Sequence, residues 1–181
     1  MIVHPHPKAK ETEEPAAVRV NIPIRTAQGV FLAEFTETGL SGLRFPQTSA
    51  LATDFAAKPS IAQRSWTKLT TAALNDILAG ALPKNYPPLD LTGGTPFQQS
   101  VWRQLLKIRP GQTKSYGEIA KAIGKPAAVR AVGGACGANP IPVLVPCHRV
   151  LAANGKLGGF SGGLDWKRRL LAIEGHAEFE V

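Results

Sequence analysis

Apolar residues alternate with polar residues or proline at Val18, Val20, Ile22 and Ile24, the two-residue period of a strand with one buried face. The turn signal Ala27-Gln28-Gly29 leads into VFLAEF at 30–35, and Thr38-Gly39 leads into LSGLRF at 40–45. An antiparallel meander of three strands is therefore predicted. The period then lengthens. Pro59-Ser60 can cap a helix whose apolar positions include Ile61, Trp66, Leu69, Ala73 and Ile77, and Gly80 ends it. LPKNYPPLDLTGG at 82–94 is rich in Pro and Gly and reads as a linker.

In the second half, Thr95-Pro96-Phe97-Gln98 joins a capping box to a proline at the first helical position. Phe97, Val101, Leu105 and Ile108 keep the helical period until Arg109-Pro110-Gly111 stops it. Ser115-Tyr116-Gly117-Glu118 is a second capping box, opening a short helix with Ile119, Ala120 and Ile123 inside. A tight turn at Gly124-Lys125 and the proline after it predict another helix over 126–137. Two short helices joined in this way suggest a helix-turn-helix, a pattern that ordinary helical corners share. The second helix carries Ala127, Ala128, Val129, Ala131, Gly133, Gly134 and Ala135, with Arg130 as its long charged side chain. Helices that read the major groove use several polar side chains. A small-residue face instead lets backbone approach a narrow groove closely, although packing inside a core would use the same residues.

After the loop NPIP at 139–142, the apolar run VLV (143–145) leads into Pro146-Cys147-His148-Arg149-Val150. Asn154-Gly155 marks a turn, GGFSGG at 158–163 reads as a flexible loop, and LDWKRRLLAIEG at 164–175 as a final amphipathic helix. The expected fold class is α+β: a small N-terminal antiparallel-sheet domain over 16–81 and a mostly helical domain with a helix-turn-helix over 95–176. Tails are expected at 1–15, flexible, and at 177–181. Trp66, Trp102 and Trp166 sit among apolar residues at helical spacing and read as core, not as platforms for bases.

Composition narrows the classes. With 181 residues, 44% apolar and 19% charged, the chain can bury a core. No run of about 18 apolar residues offers a membrane span. The first residues show no apolar signal-peptide segment, so a cytoplasmic location is expected. His4 and His6 lack the further ligands that a metal site needs. The net charge of +8 is uneven: residues 93–176 hold 12 Lys and Arg against three Asp and Glu, while residues 1–92 are nearly balanced. That asymmetry points to a polyanionic partner for the second half. Cys136 and Cys147 are the two cysteines, too few for a disulfide scaffold or a structural zinc, so each is a buried small hydrophobe or a nucleophile. Cys147 sits directly before His148 and Arg149, which makes it the candidate nucleophile, although sequence neighbours need not touch in space.

The runs TPFQQSVW (95–102), SYGEIA (115–120), VRAVGGACGANP (129–140), VPCHRV (145–150) and FSGGLDWKRRLL (160–171) stand in an order and spacing that identify a family resemblance. From about Gly94 to Gly175 the chain resembles the catalytic domain of O6-alkylguanine-DNA alkyltransferases. Residues 18–80 resemble the family's variable N-terminal domain in architecture alone. The resemblance implies transfer of an alkyl group from O6-alkylguanine, and from O4-alkylthymine, to Cys147, once per molecule and without cofactor or metal. It casts His148 as the base acting through a water, Glu174 as the carboxylate holding the imidazole, and Asn139 as a brace. It places Tyr116 at the purine ring N3, Ser161 near O6, and the Val150 N–H with the Cys147 carbonyl at the guanine edges. Phe160 stands where many relatives have Tyr, so a hydroxyl is missing and a change in rate or in preferred alkyl size is expected.

Double-stranded DNA is the implied partner of a monomer, met through the minor groove, with the damaged nucleotide flipped out. Arg130 matches a finger that fills the vacated stack, and Ser115, Ala128, Ala131 and Gly133 would lie against the DNA. Cys136 and His176 read as structural and surface residues. Three alternatives remain: a binder of alkylated DNA without transfer, which in this family replaces the acceptor cysteine, a helix-turn-helix regulator, and a cysteine hydrolase.

Overall fold

The computed structural model describes residues 19–47 and 58–179. Val18, His4 and His6, the expected tail at 1–15 and the last two residues lie outside the described residues. Strands β1 (Val20–Thr26), β2 (Gly29–Phe35) and β3 (Leu40–Arg44) form the antiparallel meander. Its register pairs Ile24 with Phe31 and Ile22 with Ala33. Phe31, Ala33 and Phe35 are fully buried, the alternation expected of a sheet with one face on a core.

Helix α1 (Ile61–Leu78) starts at Ser60, whose hydroxyl accepts from the Gln63 N–H while the Gln63 side chain accepts from the Ser60 N–H. The buried face follows the apolar spacing at Ala73 and Ile77, with Trp66 packed against the core, but departs from it at the first turn. Ile61 is 80% exposed, while Gln63 and Thr70 are buried with Ala73, Leu74, Ile77 and Leu78. Both polar side chains are hydrogen-bonded, Gln63 to the Thr36 carbonyl at 3.0 Å and Thr70 to the Trp66 carbonyl at 2.8 Å, which removes most of the cost of burying them.

Residues 82–94 are not a free connection. The Leu40 N–H donates to the Pro88 carbonyl and the Asp90 N–H to the Leu40 carbonyl, both at 2.8 Å, so the segment lies along β3. Asp90 accepts hydroxyls from Thr36, Thr38 and Thr92; burial pushes its carboxyl up, but these bonds outweigh it and bring the pKa down to about 2.

Helix α2 (Pro96–Leu105) has the expected Thr95–Gln98 capping box and ends one turn before Ile108. The strand pair β4 (Lys114–Ser115) and β5 (Val150–Leu151) is parallel. Helix α3 (Tyr116–Ala122) begins directly from β4 and turns at Gly124 toward α4 (Val129–Gly137). The second helix therefore starts three residues later than expected. Pro126 lies in the turn before it, closed by the Ala128 N–H on the Lys125 carbonyl at 2.9 Å. The last helix, α5, covers Leu164–Ile173, and Ala177–Phe179 form a 3-10 turn where the sequence reads as a tail. His176 is correspondingly half-buried, with Nδ1 3.1 Å from Glu178 Oε1.

One apolar core runs through both halves, from Phe31, Phe35 and Leu40 through Val101, Leu105 and Ile119 to Val145, Val150 and Leu170. Trp102 is 2% exposed, and its indole N–H donates to the Ala135 carbonyl at 2.8 Å, pinning α4 to α2. Trp66 and Trp166 pack against the same core, in line with the sequence reading.

Candidate active site

Cys147 opens a 3-10 turn, Cys147–Arg149, between a backbone reversal and β5. The apolar run at 143–145 is not a strand: Val143 has φ of 76°, left-handed backbone that β-branched residues avoid at a cost of roughly 1–2 kcal/mol. Asn139 holds this reversal together. Its amide nitrogen donates to the Val145 carbonyl at 2.8 Å and to Cys147 Sγ at 3.0 Å, and its oxygen accepts from the Ile141 N–H at 3.1 Å. A buried amide with three bonds fixes both the turn and the sulfur. The thiol is 3% exposed. Burial pushes its pKa up; the Asn139 bond and the Lys167 charge pull the other way without cancelling the rise. A resting thiolate is thus disfavoured at neutral pH, and reaction needs a base.

His148 has no exposed surface, and its Nε2 lies 3.0 Å from Glu174 Oε1. Nδ1 is buried with no hydrogen-bond partner among the described residues. Burial lowers the His148 pKa more than Glu174 raises it, so the ring is neutral. A neutral ring against an ionised carboxylate carries its proton on Nε2 and leaves a lone pair on Nδ1. Glu174 caps the C-terminus of α5 and accepts from Arg149 Nη2 at 2.7 Å and Nε at 3.0 Å. Burial pushes its carboxyl up, but the bonds from His148 and Arg149 and their charges bring the pKa down to about 2. Arg149 also donates to the Ile108 carbonyl at 2.6 Å, anchoring the group beneath α2.

Two members of this cluster were not singled out from the sequence. Arg149 enters the sequence reading only as a neighbour of Cys147 and His148, with no role of its own. Lys167 lies in LDWKRRLLAIEG, read from sequence as an amphipathic helix with no role given to this residue, yet it has no exposed surface. Its ammonium donates to the Val150 carbonyl at 2.7 Å and to the Leu157 carbonyl. Burial pulls its pKa down to about 8, against the opposing influence of Cys147 and Cys136. The signal was available: Lys167, Leu170, Leu171 and Glu174 share one face of α5, and the two leucines are buried.

The other expected site residues divide. Tyr116, the first residue of α3, is half-buried. Burial raises its pKa, and Cys136 and Cys147 add to the rise, so the phenol keeps its proton and lies near both sulfurs. Val150 is buried, but its N–H donates to the Cys147 carbonyl to close the turn, and its own carbonyl is held by Lys167. The Val150 N–H, expected at a base edge, thus makes a local turn bond in this structure. Ser115 likewise spends its hydroxyl on Glu118 in the cap of α3. Ser161 is exposed on the loop before α5, and Phe160 beside it is partly buried against Phe45. The loop is thus packed at Phe160 and not free along its whole length.

Arg130 and Ala131 are exposed on α4, and Ala128 and Gly133 partly so, while Val132, Ala135 and Cys136 face the core. A Cβ added at Gly133 or Gly134 would meet no atom within 4 Å. Their small size is therefore not required by packing. Cys136 is 6% exposed, and burial pushes its pKa up to about 12, as suits a structural thiol.

Comparison with known proteins follows the same division. Residues 96–176 match the family model described as 6-O-methylguanine DNA methyltransferase, DNA binding domain. Over 101 residues the chain is 56% identical to the methylated-DNA–protein-cysteine methyltransferase of Mycobacterium bovis, covering 56% of this chain and 61% of that protein. The aligned part thus spans about three fifths of that relative. The crystal structure of Mycobacterium tuberculosis O6-methylguanine methyltransferase superposes with a TM-score of 0.72 at 40% identity, over 87% of this chain and 93% of that one. A structure of the Mycobacterium tuberculosis protein in complex with DNA gives 0.69 at 43% identity, over 84% and 90%. With the fold matched over nearly the whole of a relative at this identity, the chain belongs to the O6-methylguanine-DNA methyltransferase family.

Proposed function

We propose that the protein repairs alkylated DNA by moving the alkyl group from guanine O6 to Sγ of Cys147. The observation that carries this reading is the buried relay: a thiol braced by Asn139, and a neutral His148 with Nε2 on Glu174 and Nδ1 unpartnered among the described residues. His148 Nδ1 takes the thiol proton through a water, with Glu174 and Arg149 stabilising the imidazolium that forms. The sulfur attacks the alkyl carbon, the carbon–O6 bond breaks, and its electron pair passes to O6 and the purine ring. Tyr116, which retains its proton, donates to ring N3, and Ser161 lies near O6. The product is a thioether, a very poor leaving group, so each molecule reacts once. The departing purine anion takes up one proton, and His148 gives its own back to solvent, so electrons and protons balance without a cofactor. O4-alkylthymine presents the same oxygen-bound carbon and is a second substrate.

Because the alkyl group lies inside the duplex, the nucleotide has to be extruded, at a cost of a few kcal/mol. The exposed Arg130 fills the gap from the minor groove, and the small residues of α4 let the backbone come close to the DNA, with Ser115 flanking them. The protein acts as a monomer in the cytoplasm. Incubation with O6-methylguanine duplex followed by peptide mass measurement is expected to find one methyl on Cys147, with none transferred in Cys147→Ala and duplex binding kept. Binding without transfer would instead make the protein a reader of alkylated DNA.

A further inference from the structure

Aromatic side chains from both halves of the chain meet at residues 158–163, the loop that precedes α5. Phe45, just beyond β3, has its ring centroid 5.6 Å from that of Phe160 with the planes at 64°, and 4.9 Å from that of Trp166 in α5. Phe31 of β2 backs the group, 5.6 Å from Phe45 and 5.5 Å from Trp166. The loop backbone is fitted to the same ring: a Cβ at Gly162 would lie 2.4 Å from a Phe45 ring carbon. At its other end the loop meets the site. A Cβ at Gly158, where φ is +66°, would come within 2.9 Å of the Tyr116 hydroxyl, and Lys167 holds the preceding Leu157 carbonyl. Ser161 stands exposed between the two residues that touch Phe45.

Among the described residues, the thiol, His148 and Glu174 have no hydrogen bond to the three-stranded sheet; the sheet side reaches the site through the Leu43 N–H on the Pro140 carbonyl at 2.8 Å, beside Asn139, and through the Phe45 contact with this loop. Within the loop a single backbone bond, the Gly163 N–H on the Phe160 carbonyl at 3.1 Å, closes a turn, and where that turn sits depends on what its side chains pack against. We propose that Phe45 is a positioning residue for this loop and, acting through Phe160, sets the size of alkyl group that the site accepts. The proposal rests on the transfer reading above. A methyl group offers little surface and relies on the surrounding walls to hold its carbon in line with the sulfur. A benzyl group brings its own contact area and can fill a looser pocket. Loosening the loop therefore slows methyl transfer more than benzyl transfer, since displacements near 1 Å can cost up to about 100-fold in rate.

The test is single-turnover transfer from otherwise identical duplexes carrying O6-methylguanine or O6-benzylguanine, for the parent, Phe45→Leu, Phe160→Leu and the double variant. The benzyl-to-methyl rate ratio is expected to rise about fivefold in each single variant and no further in the double, because both act through one contact. Phe45→Tyr, which keeps the ring, should hold the parent ratio, and all variants should bind undamaged duplex equally. Thermal melting checks folding, and Phe45→Met gives the same readout should Phe45→Leu fail to fold. An unchanged ratio in a folded Phe45 variant, or ratios that multiply in the double, overturns the assignment. A parent protein that accepts neither group overturns the transfer reading, and this inference falls with it.

Discussion

His148 has one nitrogen committed to Glu174 and the other buried without a partner among the described residues, and the sulfur beside it in sequence is held above its ordinary pKa by burial. The two facts belong together: a thiol that resists ionisation reacts at neutral pH only if a base takes its proton. The His148 pKa is itself lowered, so the ring remains an unprotonated base through the neutral range and loses that capacity only as pH falls through the lowered value. Glu174→Gln removes the charge that stabilises the imidazolium, and single-turnover rate at pH 7 should fall by about 10–100-fold. The deficit should shrink as pH rises beyond the ordinary thiol value of about 8.5, where direct ionisation bypasses the base. His148→Ala should show the same recovery, and the double variant should be little worse than the worse single one, because both residues serve one step. Rate–pH profiles of the four proteins check this, and a Glu174→Gln deficit constant across pH would make Glu174 an anchor for Arg149 alone. Unfolding curves must accompany them, since the neutral amide leaves the buried Arg149 without its counter-charge.

Single backbone choices decide how the elements deliver these side chains. The reversal between α4 and the Cys147 turn needs left-handed backbone at Val143, and the Asn139 amide closes it from inside. Val143 is also 1% exposed, so its side chain stabilises the fold while its backbone opposes it. Glycine at this position loses the burial, about 1.5–3 kcal/mol, but recovers roughly 1–2 kcal/mol of strain. Val145 is fully buried with no such strain, so Val145→Gly forfeits the burial without a return. Urea unfolding should therefore find Val143→Gly less destabilising than Val145→Gly by about 1–2 kcal/mol. Equal losses would mean that the strain is relaxed in solution. The two-residue β4–β5 pair acts at the same scale. Ser115 is both its last residue and the cap of α3, so pairing with Leu151 sets Tyr116 in register with the turn that carries Cys147.

Across the whole molecule, charge and small residues are concentrated on the half that carries α3 and α4, while the sheet half supplies core and loop support. DNA affinity should therefore come mainly from phosphate contacts, be nearly independent of sequence and fall steeply with salt. Arg130→Ala is expected to slow repair in duplex DNA by at least about tenfold, because extrusion loses the side chain that fills the gap. The same variant should react with free O6-benzylguanine at nearly the parent rate, since a free base needs no extrusion. Parallel measurements on the two substrates decide the matter, and equal losses would remove Arg130 from the finger role.

Strands, caps and the order of elements were legible in the amino-acid chain because they depend on local physics: two-residue alternation in β1 to β3, and the capping boxes at Thr95 and Ser115. The candidate nucleophile Cys147 and the neighbouring His148 were legible because they are adjacent in a short motif. The remainder required three dimensions. Helical spacing puts Lys167 on the face of Leu170 and Leu171, but no local rule says which two carbonyls it meets, or that Ile61 stays outside while Gln63 goes in. The docked course of residues 82–94 and the Phe45 contact with the active-site loop join residues far apart in the chain. Their side-chain partners are chosen by packing and by the need to satisfy buried polar groups, which periodicity along one segment does not encode. The bond of the Val150 N–H to the Cys147 carbonyl is likewise a product of the turn's three-dimensional course, in which a buried donor finds an acceptor that the fold presents.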